Sequence, residues 1–142
     1  LKPGDVFVVT DAVRDEGTSC HYFPADVELD CSEAMSRRIE DCFDKQGIKH
    51  HKGSVWTTDA PYRETKEKFR RFQKAGVLGV NMETSALLAV ARYRKVRLAS
   101  IQVISDVLSE QGWLIAFGSK QVQDSMKQAM KAALEALTSS ST

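Results

Sequence analysis

Two carboxylates stand out by their positions. Glu83 closes the stretch Gly79-Val80-Asn81-Met82-Glu83, and Asp106 closes Val103-Ile104-Ser105-Asp106 about twenty residues later. Each ends an apolar run that reads as a strand. Desolvating a carboxylate there is costly, and ligand binding is the usual reason to bear that cost. Open α/β sheets bind ligands in the crevice outside the carboxyl ends of their strands. In such a crevice Asp106 can be a carboxyl of raised pKa that donates a proton to a leaving group. Glu83 can accept ligand hydroxyls in bidentate fashion, with Met82 as an adaptable apolar contact. The competing readings are structural. Ser105-Asp106 can cap a turn or helix, and Glu83 can be a favourable charge at a helix N-terminus.

Further candidates lie on either side. The stretch Thr10-Asp11-Ala12-Val13-Arg14-Asp15-Glu16-Gly17-Thr18-Ser19 carries Arg14, whose fork suits an anion or a carboxylate. A surface ion pair holding the loop is the alternative. His21 shares this loop. In Asp59-Ala60-Pro61-Tyr62, Tyr62 can stack on a ligand ring or simply pack. Trp113 and Phe117 read either as a mobile flap beyond Asp106 or as packing. His50 and His51 are adjacent and face different ways, so no metal-ligand pattern forms. There is no Gly-rich phosphate loop and no nucleophile elbow.

These residues need elements to hold them. Residues 5–12 read as a strand, and 13–31, with no period, as a long loop. A helix begins at Ser32, with Met35, Ile39, Cys42 and Phe43 on one face and Gly47 as its stop. Residues 53–58 read as a strand. From about Glu64 to Ala75 a charged segment turns Phe69 and Phe72 inward. Val77 to Val80 is a short strand, and Thr84 to Arg94 a buried helix. Residues 97–105 read as the most buried strand, because near-continuous apolar runs suit strands covered on both faces. The last helix places Val122, Met126, Ala129, Met130, Ala133, Leu134 and Leu137 on one face. Residues 138–142 read as a disordered polar tail. Alternation of strand and helix predicts an α/β fold with a small, mostly parallel or mixed sheet of four strands.

Composition narrows the classes. The chain has 142 residues, one domain or part of one, with 42% hydrophobic and 27% charged residues, as in ordinary globular chains. A net charge of +1 offers no field for nucleic acid or an anionic membrane. No apolar run is long enough to span a bilayer. The start lacks the pattern of a signal peptide, and Cys20, Cys31 and Cys42 are an odd set without zinc spacing. Reduced thiols and a cytoplasmic setting are expected. A strand begins almost at once and there is no initiator Met, so the chain reads as a fragment.

These stretches together resemble the nucleoside phosphorylase family of hexameric purine nucleoside phosphorylases, uridine phosphorylases and related nucleosidases. The resemblance runs from Asp5 to about Ala136 and rests on Thr10 to Ser19, Gly53 to Tyr62, Gly79 to Glu83, and Ile104-Ser105-Asp106. It implies a phosphorylase/hydrolase-like three-layer α/β/α fold with a mixed central sheet, present as the C-terminal part (residues 1–137) of one domain. It implies that Glu83 holds the ribose hydroxyls and that Met82 packs on the sugar. Asp106 would protonate N7 of a purine beside Ser105, with Pro61, Tyr62 and Asn81 facing the base. Inorganic phosphate is the implied co-substrate, with no other cofactor, and the implied assembly is a dimer-based homo-oligomer, up to a hexamer. The phosphate clamp lies in the part of the family not matched here.

The chain departs from the family at three points. Asn81 stands where many purine enzymes carry another acid. The uracil-reading Gln-x-Arg pattern is replaced by Arg63-Glu64-Thr65-Lys66-Glu67, which argues against uridine. Lys120, and no Arg, follows Asp106. The expected function is phosphorolysis of purine-type nucleosides to base and ribose 1-phosphate, with this chain alone inactive. Uridine phosphorylase, a hydrolytic nucleosidase, or a non-catalytic nucleoside-binding module are the alternatives.

Overall fold

The apolar run after Asp5 becomes the central strand, β1 (Val6–Asp15), in the computed structural model, which describes residues 1–109 and 112–138. Val6, Phe7, Val8 and Val9 are 0–3% exposed, so β1 is covered on both faces. It continues past residue 12 because Ala12–Asp15 pair in register with Val55–Thr58 of β2 (His50–Thr58). The expected loop over 13–31 therefore starts later and includes a short 3-10 turn at Thr18–His21. A bulge hid this extension. Between Val9 and Ala12 the register shifts, and both side chains then reach the same core cluster.

The main sheet has the order β3-β2-β1-β4. Here β3 is Gly79–Asn81 and β4 is Ile101–Val103. β1, β2 and β3 are parallel, while β4 runs antiparallel to β1. A separate antiparallel hairpin joins β5 (Asp106–Ser109) to β6 (Gly112–Ile115). Helices cover both faces of the main sheet. On one side α1 (Glu33–Lys45) and α4 (Lys120–Thr138) enclose Val6, Val8, Ile39, Cys42, Phe43 and Ala132. On the other, α3 (Thr84–Tyr93) and the segment through Phe23, Val27 and Leu29 enclose Phe7, Val9, Val55 and Leu88. This is the expected three-layer α/β/α arrangement with a mixed sheet. α2 (Lys66–Lys74) sets Phe72 against Trp56 with ring centroids 4.8 Å apart, while Phe69 is only half-buried.

Two expectations are corrected here. Residues 97–105 do not form the most buried strand. β4 is short, half-buried and at the sheet edge, because it has a strand partner on one side only. The inward face of α4 is also rotated. Val122 and Ala129 are buried as expected, but Ala132 and Ala136 complete that face. Met126, Met130, Leu134 and Leu137 are 53–63% exposed. Small side chains let α4 lie close to the sheet, and close packing decides which stripe of an all-round apolar helix turns inward. Thr138 ends α4, donating from Oγ1 to the Leu134 carbonyl, rather than opening a tail. Residues 139–142 of the expected tail lie outside the described residues.

Candidate functional site

Asp106 opens β5 instead of ending a strand, and β4 approaches it from the opposite direction to β1–β3. The two carboxylates therefore do not follow parallel neighbours, as the sequence reading supposed. A different contact joins their motifs. A Cβ added to Gly79 would lie 3.1 Å from the Phe7 ring and 3.7 Å from Ile104 Cδ1. The missing side chain lets Ile104, which leads into Ser105-Asp106, approach the strand that leads into Met82-Glu83.

Both oxygens of Asp106 are engaged. Oδ1 accepts from Ser105 Oγ at 2.7 Å and Oδ2 from Trp113 Nε1 at 2.5 Å. Trp113 lies on β6, and its ring meets Phe117 edge-on at 6.4 Å. The Trp113 and Phe117 segment thus folds back onto the carboxylate, a link the residue spacing did not reveal. Glu64, just past the Pro61–Arg63 turn, joins this neighbourhood electrostatically. Burial first, then the charge of Asp106, raises its pKa above 4.5.

Glu83 precedes α3 and leaves its first turn uncapped by its own side chain. Among the described residues its Oε2 accepts only the Met82 amide, at 3.1 Å, and the residue is exposed, which leaves acceptor capacity for a ligand. Met82 is 48% exposed beside it. The helix end is held by Asn81 instead. Its Oδ1 accepts from Thr57 Oγ1 at 3.0 Å and from the Thr84 amide at 3.4 Å, and its Nδ2 donates to Thr84 Oγ1. The Asn81 amide, expected to face a base, is turned into this cap. Pro61 is exposed and Tyr62 fully so, with no ring stacked on it among the described contacts.

The expected loop contacts have other partners. Arg14 forks neither onto a carboxylate nor onto an open anion position. Nε donates to Ser19 Oγ at 2.9 Å, Nη1 to the Val27 carbonyl at 2.9 Å and Nη2 to the Phe23 carbonyl at 2.8 Å. It staples the segment after β1. His21 is exposed at the end of the 3-10 turn, and no described contact joins it to Asp106 or Glu83.

Glu16 is the group whose importance sequence reasoning missed. It is buried, accepts the Ser19 amide at 3.0 Å, and accepts Ser85 Oγ of α3 at 2.6 Å. Burial pushes its pKa up, but the hydrogen bonds from Ser19 and Ser85 outweigh it and hold the group below 4.5. The Ser85 amide in turn donates to Thr57 Oγ1 at 3.1 Å. The start of α3, which positions Glu83, is thereby tied to β1 and β2. Asp59 adds an exposed link, accepting the Gly17 amide at 2.9 Å. Only the clustering of Ser, Thr and acids hinted at this network.

No group of three or more His, Cys, Asp or Glu among the described residues can hold a metal ion, and no described helix is long and apolar enough to cross a membrane. The thiols are free, and burial, opposed by a backbone hydrogen bond, together with Asp11 and Asp30 pushes Cys31 up to about 11.

The chain is similar to several known proteins. A purine nucleoside phosphorylase DeoD-type of Buchnera aphidicola subsp. Acyrthosiphon pisum (strain Tuc7) is 31% identical over 117 residues, 82% of this chain and 47% of the relative. The crystal structure of uridine phosphorylase from Vibrio fischeri ES114 matches with TM-score 0.73 and 30% identity, over 96% of this chain and 56% of that one. That of AMP nucleosidase from Bacteroides thetaiotaomicron VPI-5482 matches with TM-score 0.72 and 26% identity, over 96% and 54%. The chain thus spans about half the length of these relatives. The family model of the Phosphorylase superfamily matches residues 1–140, and the chain belongs to that superfamily.

Proposed function

We propose that the protein acts in phosphorolysis of purine-type nucleosides, releasing free base and ribose 1-phosphate. The observation that carries this reading is Asp106, held by Ser105 and Trp113 two residues after Ile104, which lies against Gly79 of the strand that leads into Met82 and Glu83. In the reaction phosphate attacks C1′ as the bond to the base breaks, and the electrons of that bond pass into the base. Asp106 would pass a proton to N7, which relieves the developing charge on a purine. The open Glu83 carboxylate would hold the ribose hydroxyls, and Met82 would pack on the sugar. Pro61 and Tyr62 would close over the base when it binds. Arg14 and His21 have no place in this scheme beyond shaping the loop.

Phosphate is the co-substrate and no other cofactor is invoked. A cytoplasmic, dimer-based homo-oligomer completes the reading. Nothing described here forms a phosphate clamp, and positioning the anion supplies much of such catalysis. The 142-residue chain by itself is therefore expected to bind nucleoside without turnover.

Base release from inosine, adenosine, guanosine and uridine, with and without phosphate, tests this on the gene product at its native length, with the 142-residue chain alongside. Phosphate-dependent purine release supports the reading, provided that Asp106→Asn abolishes it with little change in melting. Phosphate-independent release selects the hydrolytic alternative, which the likeness to an AMP nucleosidase supports. Release from uridine alone overturns the purine assignment.

A further inference from the structure

We infer that Glu64 reads the base, and that the cleft it shares with Asp106 takes a purine bearing a hydrogen on N1, guanine above all, in preference to adenine. This assignment rests on the nucleoside reading above and narrows it to one kind of base.

Glu64 leaves a turn that is pinned at both ends. At its start Thr58 Oγ1 accepts the Ala60 amide at 3.3 Å, and Asp59 accepts the Gly17 amide at 2.9 Å. The Arg63 amide then donates to the Ala60 carbonyl at 2.8 Å, and the Glu64 amide to the Pro61 carbonyl at 3.2 Å. Directly after it Thr65 Oγ1 accepts the Lys68 amide at 3.3 Å and opens α2. The turn follows the carboxyl end of β2, a parallel strand, and such sheets bind ligands at that end. Asp106 acts electrostatically on the Glu64 carboxyl, so the two face one cleft.

The two carboxyls are satisfied unequally. Asp106 receives Ser105 Oγ at 2.7 Å and Trp113 Nε1 at 2.5 Å. Glu64 is half-buried, yet among the described residues no hydrogen bond or ion pair reaches its carboxyl. Of the cations beside it in sequence, Arg63 and Lys66 are exposed, and Lys68 binds Asp15 Oδ2 at 2.6 Å. Burial and the charge of Asp106 push its pKa above 4.5, the mark of a charge short of donors. A ligand that brings donors relieves this. A purine carries N7 on its five-membered ring and N1 on the six-membered ring, so one base can meet both groups. Guanine presents N1–H and N2–H side by side, which both oxygens of a carboxylate can accept as a fork. Hypoxanthine keeps N1–H alone. Adenine turns a lone pair at N1 towards the carboxylate, and uracil flanks its single N3–H with two carbonyls.

The test is a substrate ranking on the native-length protein. With phosphate present, kcat/KM is measured for guanosine, inosine and adenosine, and calorimetry gives the affinities of free guanine and adenine. Guanosine should lead adenosine by about a hundredfold, with inosine between them, because a site that accepts an N–H rejects a base lacking it. Glu64→Gln offers an N–H to adenine N1 and an oxygen to its amino group. It should cut the guanosine-to-adenosine ratio by about a hundredfold with melting unchanged. Adenosine equal to or ahead of guanosine in the unaltered protein would overturn the assignment and leave the reaction standing. So would a Glu64→Gln variant that slows both nucleosides by the same factor. If no nucleoside is cleaved, but guanine binds ahead of adenine and the variant reverses that order, the reaction fails and the base assignment stands. Equal or absent binding of the two bases in that case overturns both.

Discussion

The two faces of the sheet are finished in different ways. On the α3 face, polar groups act as straps. Arg14 staples Phe23 and Val27 by their carbonyls, and Glu16 joins β1 to α3 through Ser85. On the α1/α4 face, Phe43 and a row of alanines close the contact, and larger apolar residues remain outside. Directional bonds define a unique loop geometry, whereas small-residue packing leaves surface for another partner. The face bearing the start of α3, and with it Glu83, is the strapped one.

The sharpest way to break this contrast is to remove packing from each stripe of the α1/α4 face. Phe43→Ala should cost about 3–5 kcal/mol in urea unfolding. Met130→Ala should stay within about 0.5 kcal/mol, and an equal loss at both sites would end the distinction. On the strapped face, Arg14→Ala should cost about 2–3 kcal/mol, since it strands several carbonyls at once. Arg14→Lys should recover little of this, because one ammonium cannot reproduce the fork. Amide exchange over residues 18–27 would report both.

Glu16→Gln should cost about 1 kcal/mol at neutral pH, and it carries a pH signature. Because the folded pKa lies below 4.5, the contribution of Glu16 is complete above that value and is lost as pH falls through the folded pKa. The variant should lose that part of the acid limb, and an unchanged acid midpoint would show that Glu16 is no strap. The smallest effect is chemical. Alkylation at pH 8 should label exposed Cys20 well ahead of Cys31, whose thiol is pushed up to about 11.

Much of this was legible from residue order. The helix face of Ile39, Cys42 and Phe43 is buried as its spacing predicts, and Gly47 follows the helix with φ +66°. The family motifs at Glu83 and Asp106 were legible as stretches of sequence. Their surroundings were not. The Trp113 bond to Asp106 depends on a hairpin, and the Asn81 cap depends on Thr57 from another strand. Periodicity could not choose between the two apolar stripes of α4, because hydrophobicity was present on both and side-chain size decided. Arg14 and Asp15 read as loop residues because the stretch from 13 to 31 carries no period. In the sheet Asp15 accepts from Trp56 Nε1 at 3.0 Å and from Lys68 Nζ at 2.6 Å.

The register shift between Val9 and Ala12 also limits how this strand can change. One surplus residue at Thr10-Asp11 lets Val9 and Ala12, three positions apart, share a face. Deleting it would restore a regular ladder with Ala12 two positions from Val9, so Ala12–Asp15 would keep their sides and their partners on β2. The Arg14 staple and the bond from the Trp56 indole to Asp15 would survive, and the bonds that Asp11 accepts from Ser54 would be the ones at risk. Shortening by one between Val9 and Ala12 should therefore be tolerated better than lengthening by one.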